Sequence, residues 1–555
     1  MKRFTAVAAF VVMVFIGGRM SAQEWLWARN GSCTTTGEGY SISYDPFGNI
    51  YVAGFTSLQG GSVTFFPFTL SNPYGGNLFL VKYNSAGNVI WAKTAGGFLS
   101  LFFYIDIATD VSGNIYVTGT FAGDSVYFDS HALSSNFMNM FIAKYDSAGN
   151  VIWVQQPEAS SDGSLNTGRD ITTDAAGNVY VTGSFTSDEL VFGPFQLHTF
   201  TEDMLVVKYN TNGNVLWAKT VDESYFSSSS SGNGIALDNL GDIYLTGLFY
   251  HILVIGGQTL TPEGQDDVYI IKYDATGNFV WVKSVGGTSY DEGIGIAANA
   301  VNNIFITGYY SYGVNFGNDT LTSSDGAEMF LAKYDAFGNV LWAKGSVGTG
   351  LYHNRGYSLA VDPLGNVFVS GGFDSTHISF DSITLQGSSD DPMFIVKYDE
   401  SGNVLCASSL SSGGDDKNDI TIDPDGDLYL FGDYASTPFI VGNDTFLLTG
   451  TEDPFLAKFR CNKNEGVGEL INNNSFSLSP NPVQNLLTIN FLSPSPASGG
   501  MIAVYDVAGR KIVLLTTYSN KKAELTTTTL PNGIYLLQII NTKTGMSEVG
   551  KFVKE

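Results

Sequence analysis

Cysteine is nearly absent: the 555-residue chain holds only Cys33, Cys406 and Cys461, none in a C-x-x-C spacing. That excludes a disulfide scaffold and a cysteine metal or redox centre, and the three are expected as packed or free thiols. Cations are scarce as well, with 27 Lys and Arg against 53 Asp and Glu and a net charge of -26. Such a surface repels polyanions, so neither nucleic acid nor an anionic membrane surface is expected as a partner. The five histidines, His131, His198, His251, His353 and His377, show no metal-ligand spacing. A Gly-x-Ser-x-Gly elbow, a His-Glu-x-x-His pair and a phosphate-binding glycine loop are all missing. Beyond the first 22 residues no apolar run is long enough to cross a bilayer as a helix.

Those first residues run Met1-Lys2-Arg3, a mostly apolar stretch from Phe4 to Ile16, Gly17-Gly18, and the small pair Ser21-Ala22. They read as a secretory signal peptide over residues 1–22, with the mature chain expected to begin at Gln23.

What fills the chain is a repeat. One half reads Asp362-Pro-Leu-Gly-Asn-Val-Phe-Val-Ser-Gly-Gly-Phe373, and about thirty residues later the other reads Met393-Phe-Ile-Val-Lys-Tyr-Asp-Glu-Ser-Gly-Asn-Val-Leu-Cys-Ala407. The lysine of the second half recurs at Lys82, Lys144, Lys208, Lys272, Lys333, Lys397 and Lys458, a period of 61 to 64 residues. A fixed period with several short strands per unit marks a repeat architecture. Each unit holds four strands joined by Asp/Asn-x-x-Gly turns, in which the first side chain folds onto the backbone and glycine takes positive φ. In unit five Asn299 and Asn302 stand at these two positions, and asparagine tolerates the left-handed region. The repeated Lys-Tyr pair reads as a solvated, structural cross-strand stripe.

The seventh unit stops at Lys458-Phe459-Arg460 without its last strand, whereas Glu24-Trp-Leu-Trp-Ala-Arg29 matches that strand's sequence. An N-terminal strand completing the final unit closes a ring and removes sheet edges. The expected fold is therefore all-β, a seven-bladed β-propeller over residues 23–461. Its closing register is expected to set Leu26 opposite Lys458 and Trp27 opposite Ala457. In that register Cys33 lies far up the blade from Cys461, so these two should not pair.

After Cys461 the period ends. Residues 462–474 read as a polar linker and 475–555 as a small β-sandwich, whose seven Lys and Arg outnumber four Asp and Glu.

Two resemblances follow. The motifs Gly-Asn-Ile-Tyr-Val-x-Gly and Lys-Tyr-Asp-x-x-Gly-Asn-Val-x-Trp resemble the SBBP family of bacterial β-propeller repeats, which implies a secreted propeller with no general activity. Residues 475–555 resemble the C-terminal sorting domain of the type IX (Por) secretion system of Bacteroidota. The residues that carry this are Pro480, Asn481 and Pro482, then Gly509 and Arg510, Gly533 and Tyr535, and Lys551. That resemblance implies the type IX machinery as a partner and delivery through the periplasm to the cell surface or the medium, with the tail often removed and the cargo released or lipopolysaccharide-anchored.

Irregular loops on a regular scaffold are where binding usually resides. In the inter-blade loops, acids and aromatics gather as Glu38 and Tyr40, Phe103 and Tyr104, Tyr225 and Phe226, Tyr290 and Glu292, and Tyr352 and Arg355. Aromatics stack on sugars while carboxylates take hydroxyls, so an unidentified glycan or surface protein is the expected ligand. The function expected is a non-enzymatic binding or adhesion module, acting as a monomer. The alternative is a carbohydrate- or peptide-active enzyme with its site in the same loops. No cofactor is expected; Asp423, Asp425 and Asp427 superficially resemble a calcium loop but occupy ordinary turn positions.

Overall fold

A computed structural model describes residues 23–554 apart from 58–60, 72–75, 99, 161–163, 223–227, 349–352, 388–391, 412–417, 462–475, 481, 492–499, 507–510, 516–521, 529 and 542–546. The described residues are all β, with no helix among them. They form two compact units, within Ser21–Lys463 and within Asn464–Glu555.

The larger unit repeats one antiparallel sheet. In sheet 1 the strands are Gly37–Tyr44, Ile50–Thr56, Asn77–Tyr83 and Val89–Gly97, hydrogen-bonded in chain order. Sheets 2 to 6 repeat that order, and sheet 7 pairs Asn418–Ile422, Leu428–Tyr434 and Asp453–Cys461 with Gln23–Asn30 from the other end of the unit. The first strand of each sheet packs beside the first strand of the next, and that of sheet 7 packs beside that of sheet 1. The cores lie between neighbouring sheets: Tyr116, Met140 and Ile142 of sheet 2 share one with Ile171, Val181 and Leu205 of sheet 3.

The repeat motif is explained by its turns. Asp45 accepts hydrogen bonds from the amides of Phe47 at 2.9 Å and Asn49 at 2.8 Å, from the Asn49 side chain at 2.7 Å, and from the Tyr51 hydroxyl at 3.0 Å. Gly48, at φ 86°, makes the reversal. Thus Asp, Gly, Asn and Tyr in the motif are four parts of one capped loop. Asn299 caps its own turn in the same way, with Asn302 at φ 63°.

The repeated lysines are not a solvated stripe. Lys82 is 8% exposed, its Nζ sits 5.1 Å from the Tyr51 ring centroid, and it donates to the Ser147 carbonyl of the next sheet's turn at 3.0 Å. Lys144 and Lys333 reach the following turn likewise, at Thr211 and Glu400. The ammonium is taken out of water because an aromatic face and a carbonyl replace its hydration.

Tryptophan makes a second staple. Trp91, Trp153, Trp281 and Trp342 each donate their indole N–H to a carbonyl in the next sheet's turn. A Cβ on Gly213 of such a turn would stand 2.9 Å from the Trp153 ring, so glycine serves close approach as well as positive φ. Sheet 6 carries Cys406 where the others carry tryptophan. Sheet 7 has no turn between its third and fourth strands for an indole to cover, because its fourth strand comes from residues 23–30. A disulfide, Cys406–Cys461, with Cα atoms 6.3 Å apart, replaces the staple there. This corrects the expectation of free thiols for those two; only Cys33 is free, and it is buried. Replacing both Cys406 and Cys461 by serine is expected to lower stability by about 2–4 kcal/mol, since the bridge closes a long loop. Thermal unfolding with and without reductant measures it, and the variant should be insensitive to reductant.

Ring closure shows a one-residue correction. Trp27, not Leu26, faces Lys458, and Ala28 faces Ala457, with a register shift between Trp25 and Trp27. Every third–fourth pair that closes through a turn has the same irregularity; in sheet 1 Lys82 faces Trp91 while Tyr83 faces Val89. The extra residue, Ile90, is pushed outward and is 45% exposed. Trp27 does occupy the position of Trp91, since its ring covers Gly87 as Trp91 covers Gly149.

In the smaller unit a three-stranded sheet (Phe476–Ser479, Leu486–Phe491, Lys522–Thr526) and a four-stranded one (Lys511–Leu515, Gly500–Asp506, Gly533–Asn541, Ser547–Lys554) share a core of Leu487, Ile489, Leu525, Ile502, Leu537 and Phe552. Tyr535 stacks on Phe552 and donates to the Pro531 carbonyl at 2.7 Å.

Candidate functional site

The seven first strands surround a cavity of about 690 Å³. Sheets 1 to 6 each carry a bulge in that strand. Between Gly39 and Ser41, Gly168 and Asp170, Gly232 and Gly234, Gly293 and Gly295, and Gly356 and Ser358 one residue has no partner in the ladder. Those residues are Tyr40, Arg169, Asn233, Ile294 and Tyr357, and all line the cavity. A bulge re-aims a side chain, and here it turns it inward. In sheet 2 the shift spans two residues, Tyr104 and Ile105, with Tyr104 at φ 53°.

Next to the bulge comes a polar shelf: Ser41, Asp106, Asp170, Ser358 and Asp419, with glycine at 234 and 295. Its side chains tie the strands together. Asp106 accepts from the amide of Ile171, Asp170 from that of Ile235 at 2.7 Å, and Asp419 from that of Ile42 at 2.8 Å. Ser41 joins Asp106 and Asp419, and Ser358 donates to Asp419 at 2.6 Å. The Asp170 carboxyl lies beside that of Asp106 and opposes its ionisation. Burial pushes all three up: Asp170 and Asp419 to about 6, and Asp106 well above the usual range, helped by the charge of Asp170. Beyond the shelf stands an aliphatic ring that includes Ile42, Ile171, Ile296 and Ile420.

These carboxyls give stability a direction with pH. A carboxyl whose folded pKa is raised binds its proton more tightly in the native state, so its contribution is present below the unfolded value, about 3.9, and lost as pH rises through about 6. Asp274, held down to about 2 by hydrogen bonds from Thr276 and Asn278, works oppositely and loses its contribution only below about 3.9. The melting temperature is therefore expected to peak between about pH 4 and 5 and to fall toward pH 7. Asp419→Asn should flatten that fall, by about 3 kcal/mol between the two ends. A scan of melting temperature against pH for the two proteins measures this.

Of the residues singled out from sequence, Tyr40, Tyr104, Glu292 and Arg355 converge on the cavity, but from the first strands of their sheets rather than from the loops expected for them. Glu38 accepts from the Tyr40 hydroxyl at 2.8 Å without lining it, and Phe103 stays in the ladder opposite Thr120. Tyr290 is exposed away from it, and Tyr225, Phe226 and Tyr352 lie outside the described residues. Arg169, Asn233 and the three aspartates were missed. Their signal was present: a glycine three residues before the aliphatic position of the first strand marks five of the bulges.

Around the cavity's polar rim the side chains are linked. Arg169 donates to Ser231 at 2.7 Å and Asn233 at 2.6 Å, stacks over Tyr104, and lies 3.8 Å from Glu202. Asn233 donates to Glu292 at 2.9 Å, and Tyr309 also hydrogen-bonds Glu292. Burial raises Glu292 while Arg169 and Arg355 pull it down.

The aspartates of the sheet 7 turn have partners of their own. Lys458 lies 2.8 Å from Asp423 and 3.1 Å from Asp427, and Arg460 grips Asp427 through two nitrogens at 2.7 and 2.6 Å. The cation at this turn is supplied by the chain. Among the described residues no group of three His, Cys, Asp or Glu side chains could hold a metal ion.

Comparison with known proteins identifies the smaller unit. Residues 477–555 match the model of the secretion system C-terminal sorting domain. Tyr535 and Gly533 of that motif lie at the start of a core strand, and Pro480 and Pro482 are placed near Val483; Asn481, Gly509 and Arg510 lie outside the described residues, as does the Lys551 side chain. The sorting domain marks the chain as secreted or displayed on the outer-membrane surface. An uncharacterized WD repeat-containing protein of Acanthamoeba polyphaga mimivirus is 27% identical over 434 residues, covering 64% of this chain and 31% of that one. This chain thus spans about a third of that relative's length. Among solved structures, PorZ, described as a bacterial surface component of the type IX secretion system of Porphyromonas gingivalis, aligns with a TM-score of 0.27 at 9% identity, covering 93% of this chain and 81% of that one. A duf4221 member from Bacteroides vulgatus aligns with a TM-score of 0.28 at 9% identity, over 66% and 97%. Likenesses this distant assign no activity.

Proposed function

We propose that the larger unit is a seven-bladed β-propeller of the SBBP repeat type that serves as a binding or adhesion module, exported by the type IX machinery through its C-terminal domain. In this reading residues 1–22 are a signal peptide, 23–461 the propeller, 462–474 a linker and 475–555 the sorting domain. The observation that carries it is the cavity: six bulges spend regular strand pairing to aim chemically different side chains into one space, which blade stability alone does not require. A volume of about 690 Å³ falls within the range of ligand pockets. The ligand is a glycan or surface protein met outside the cell.

The alternative, a carbohydrate- or peptide-active enzyme, draws on the neighbouring buried carboxyls of Asp106 and Asp170, both pushed up by burial. Against it, both carboxyls already accept backbone amides of the neighbouring strand, which fixes them as ties between blades. Probing the full chain on a glycan and matrix-protein array tests the binding reading, with retention of a defined class expected. Turnover of a polysaccharide or peptide library that is lost in Asp170→Asn would replace it with the enzyme.

A further inference from the structure

The cavity sets two arginines, Arg169 and Arg355, on a wall that also carries four carboxyls, Asp106, Asp170, Asp419 and Glu292. Arg355 lies on its wall with its guanidinium stacked 4.8 Å from the Tyr309 ring, and among the described residues it makes neither an ion pair nor a hydrogen bond through its side chain; its Nε is buried and unpartnered. Arg169, on the same wall, spends Nη1 on Ser231 and Asn233, yet its Nε is also buried without a partner. Glu292, the acid between them, is occupied by Tyr309 and Asn233. The Arg355 guanidinium, with no acceptor among the described residues, is costly to hold there unless something accepts from it, while Arg169 beside it is partly engaged by Ser231, Asn233 and, at 3.8 Å, Glu202.

We propose that the cavity binds a sugar acid, its carboxylate on Arg355 with Arg169 alongside and its ring among the tyrosines at the rim. The inference rests on the binding reading above and narrows its ligand. A planar guanidinium held flat on an aromatic ring presents a fork that suits a carboxylate better than a neutral hydroxyl. The body of the ligand follows from the rim, which offers Asn233, Asn418, Tyr40 and Tyr104 rather than an apolar slot, and so matches a hydroxylated ring that can stack and hydrogen-bond. The aliphatic ring beyond the shelf offers no polar partner, which sets the carboxylate at the rim, away from the aspartates.

Titration calorimetry of the full chain with digalacturonate, its methyl ester, and the neutral disaccharide galactobiose tests the proposal. Digalacturonate should bind and the two neutral sugars should bind at least tenfold more weakly. Arg355→Gln should lose at least tenfold in affinity for digalacturonate with an unchanged melting temperature, Arg355→Lys should recover part of it, and Glu292→Gln should tighten it by removing the competing acid. Equal binding of galactobiose, or an Arg355→Gln protein that binds as well as the parent, overturns the sugar acid while leaving a glycan-binding module standing. Binding of inorganic sulfate or phosphate without digalacturonate overturns the sugar and leaves only an anion site. No retention on any array, together with no binding here, brings down both readings.

Discussion

A chain lacking residues 24–29 is expected to melt far below the parent or to aggregate. The strand Gln23–Asn30 is the fourth strand of sheet 7, and without it Asp453–Cys461 becomes an open edge with unpaired amides and carbonyls, a template for association with another chain. Three further losses add to this. Trp25 packs against Phe459 with ring centroids 4.9 Å apart, Trp27 covers Gly87 of sheet 1, and Arg29 donates to the Gly87 and Ala86 carbonyls at 3.2 and 3.3 Å. Both indoles are half-buried rather than fully buried, so each is worth about 1.5–3 kcal/mol rather than the larger cost of a core tryptophan. With the arginine bonds and the strand ladder the loss exceeds about 5 kcal/mol, which rivals the whole stability of a typical domain. Double substitution Trp25→Ala and Trp27→Ala separates packing from the edge: it should lower the melting temperature without concentration-dependent aggregation, whereas the deletion should show both. An unchanged melting temperature after deletion would mean that the strand adds nothing to closure.

That strand also shows how far the residues could be read unaided. Its role followed from one comparison, Trp-Leu-Trp-Ala-Arg against Val-Ile-Trp-Ala-Lys, because repeat units report their own alignment. Its register was off by one because a bulge is a backbone event: Ile90 and Leu26 look like ordinary strand residues, and only the hydrogen-bond ladder shows that they are surplus. The cavity was half legible for the same reason. Tyr40, Tyr104, Glu292 and Arg355 stand out as aromatic or charged residues near irregular loops, although all four lie in first strands, whereas Arg169, Asp106 and Asp170 sit deeper in strands whose alternation points elsewhere because the bulges are invisible in sequence. The Cys406–Cys461 bridge is hidden by distance along the chain, although the exchange of tryptophan for cysteine in sheet 6, beside the sheet with no turn to cover, has a physical reason in the pairing of residues 23–30 with sheet 7.

Deleting residues 475–555 is expected to leave the larger unit folded and to abolish its appearance on the cell surface, with the protein retained in the periplasm. The fold half of that outcome follows from the cores. The larger unit buries its apolar side chains between its own neighbouring sheets, as in the cluster around Ile306, Phe316 and Phe330, while the tail keeps a separate core around Leu487, Val504 and Phe552. The export half follows from the match of residues 477–555 to the sorting domain. Within that domain, Tyr535 offers a milder probe. Its ring stacks on Phe552 and its hydroxyl holds the Pro531 carbonyl, so Tyr535→Ala should loosen the strand pair Gly533–Asn541 and Ser547–Lys554 by about 3–5 kcal/mol and reduce surface display in proportion. Cell fractionation with surface proteolysis reads both variants, and thermal unfolding of the material recovered from the periplasm reports on the fold. Normal surface display of the truncated chain would refute the sorting role of the tail, and a truncated chain that is unfolded in the periplasm would show instead that the larger unit depends on it.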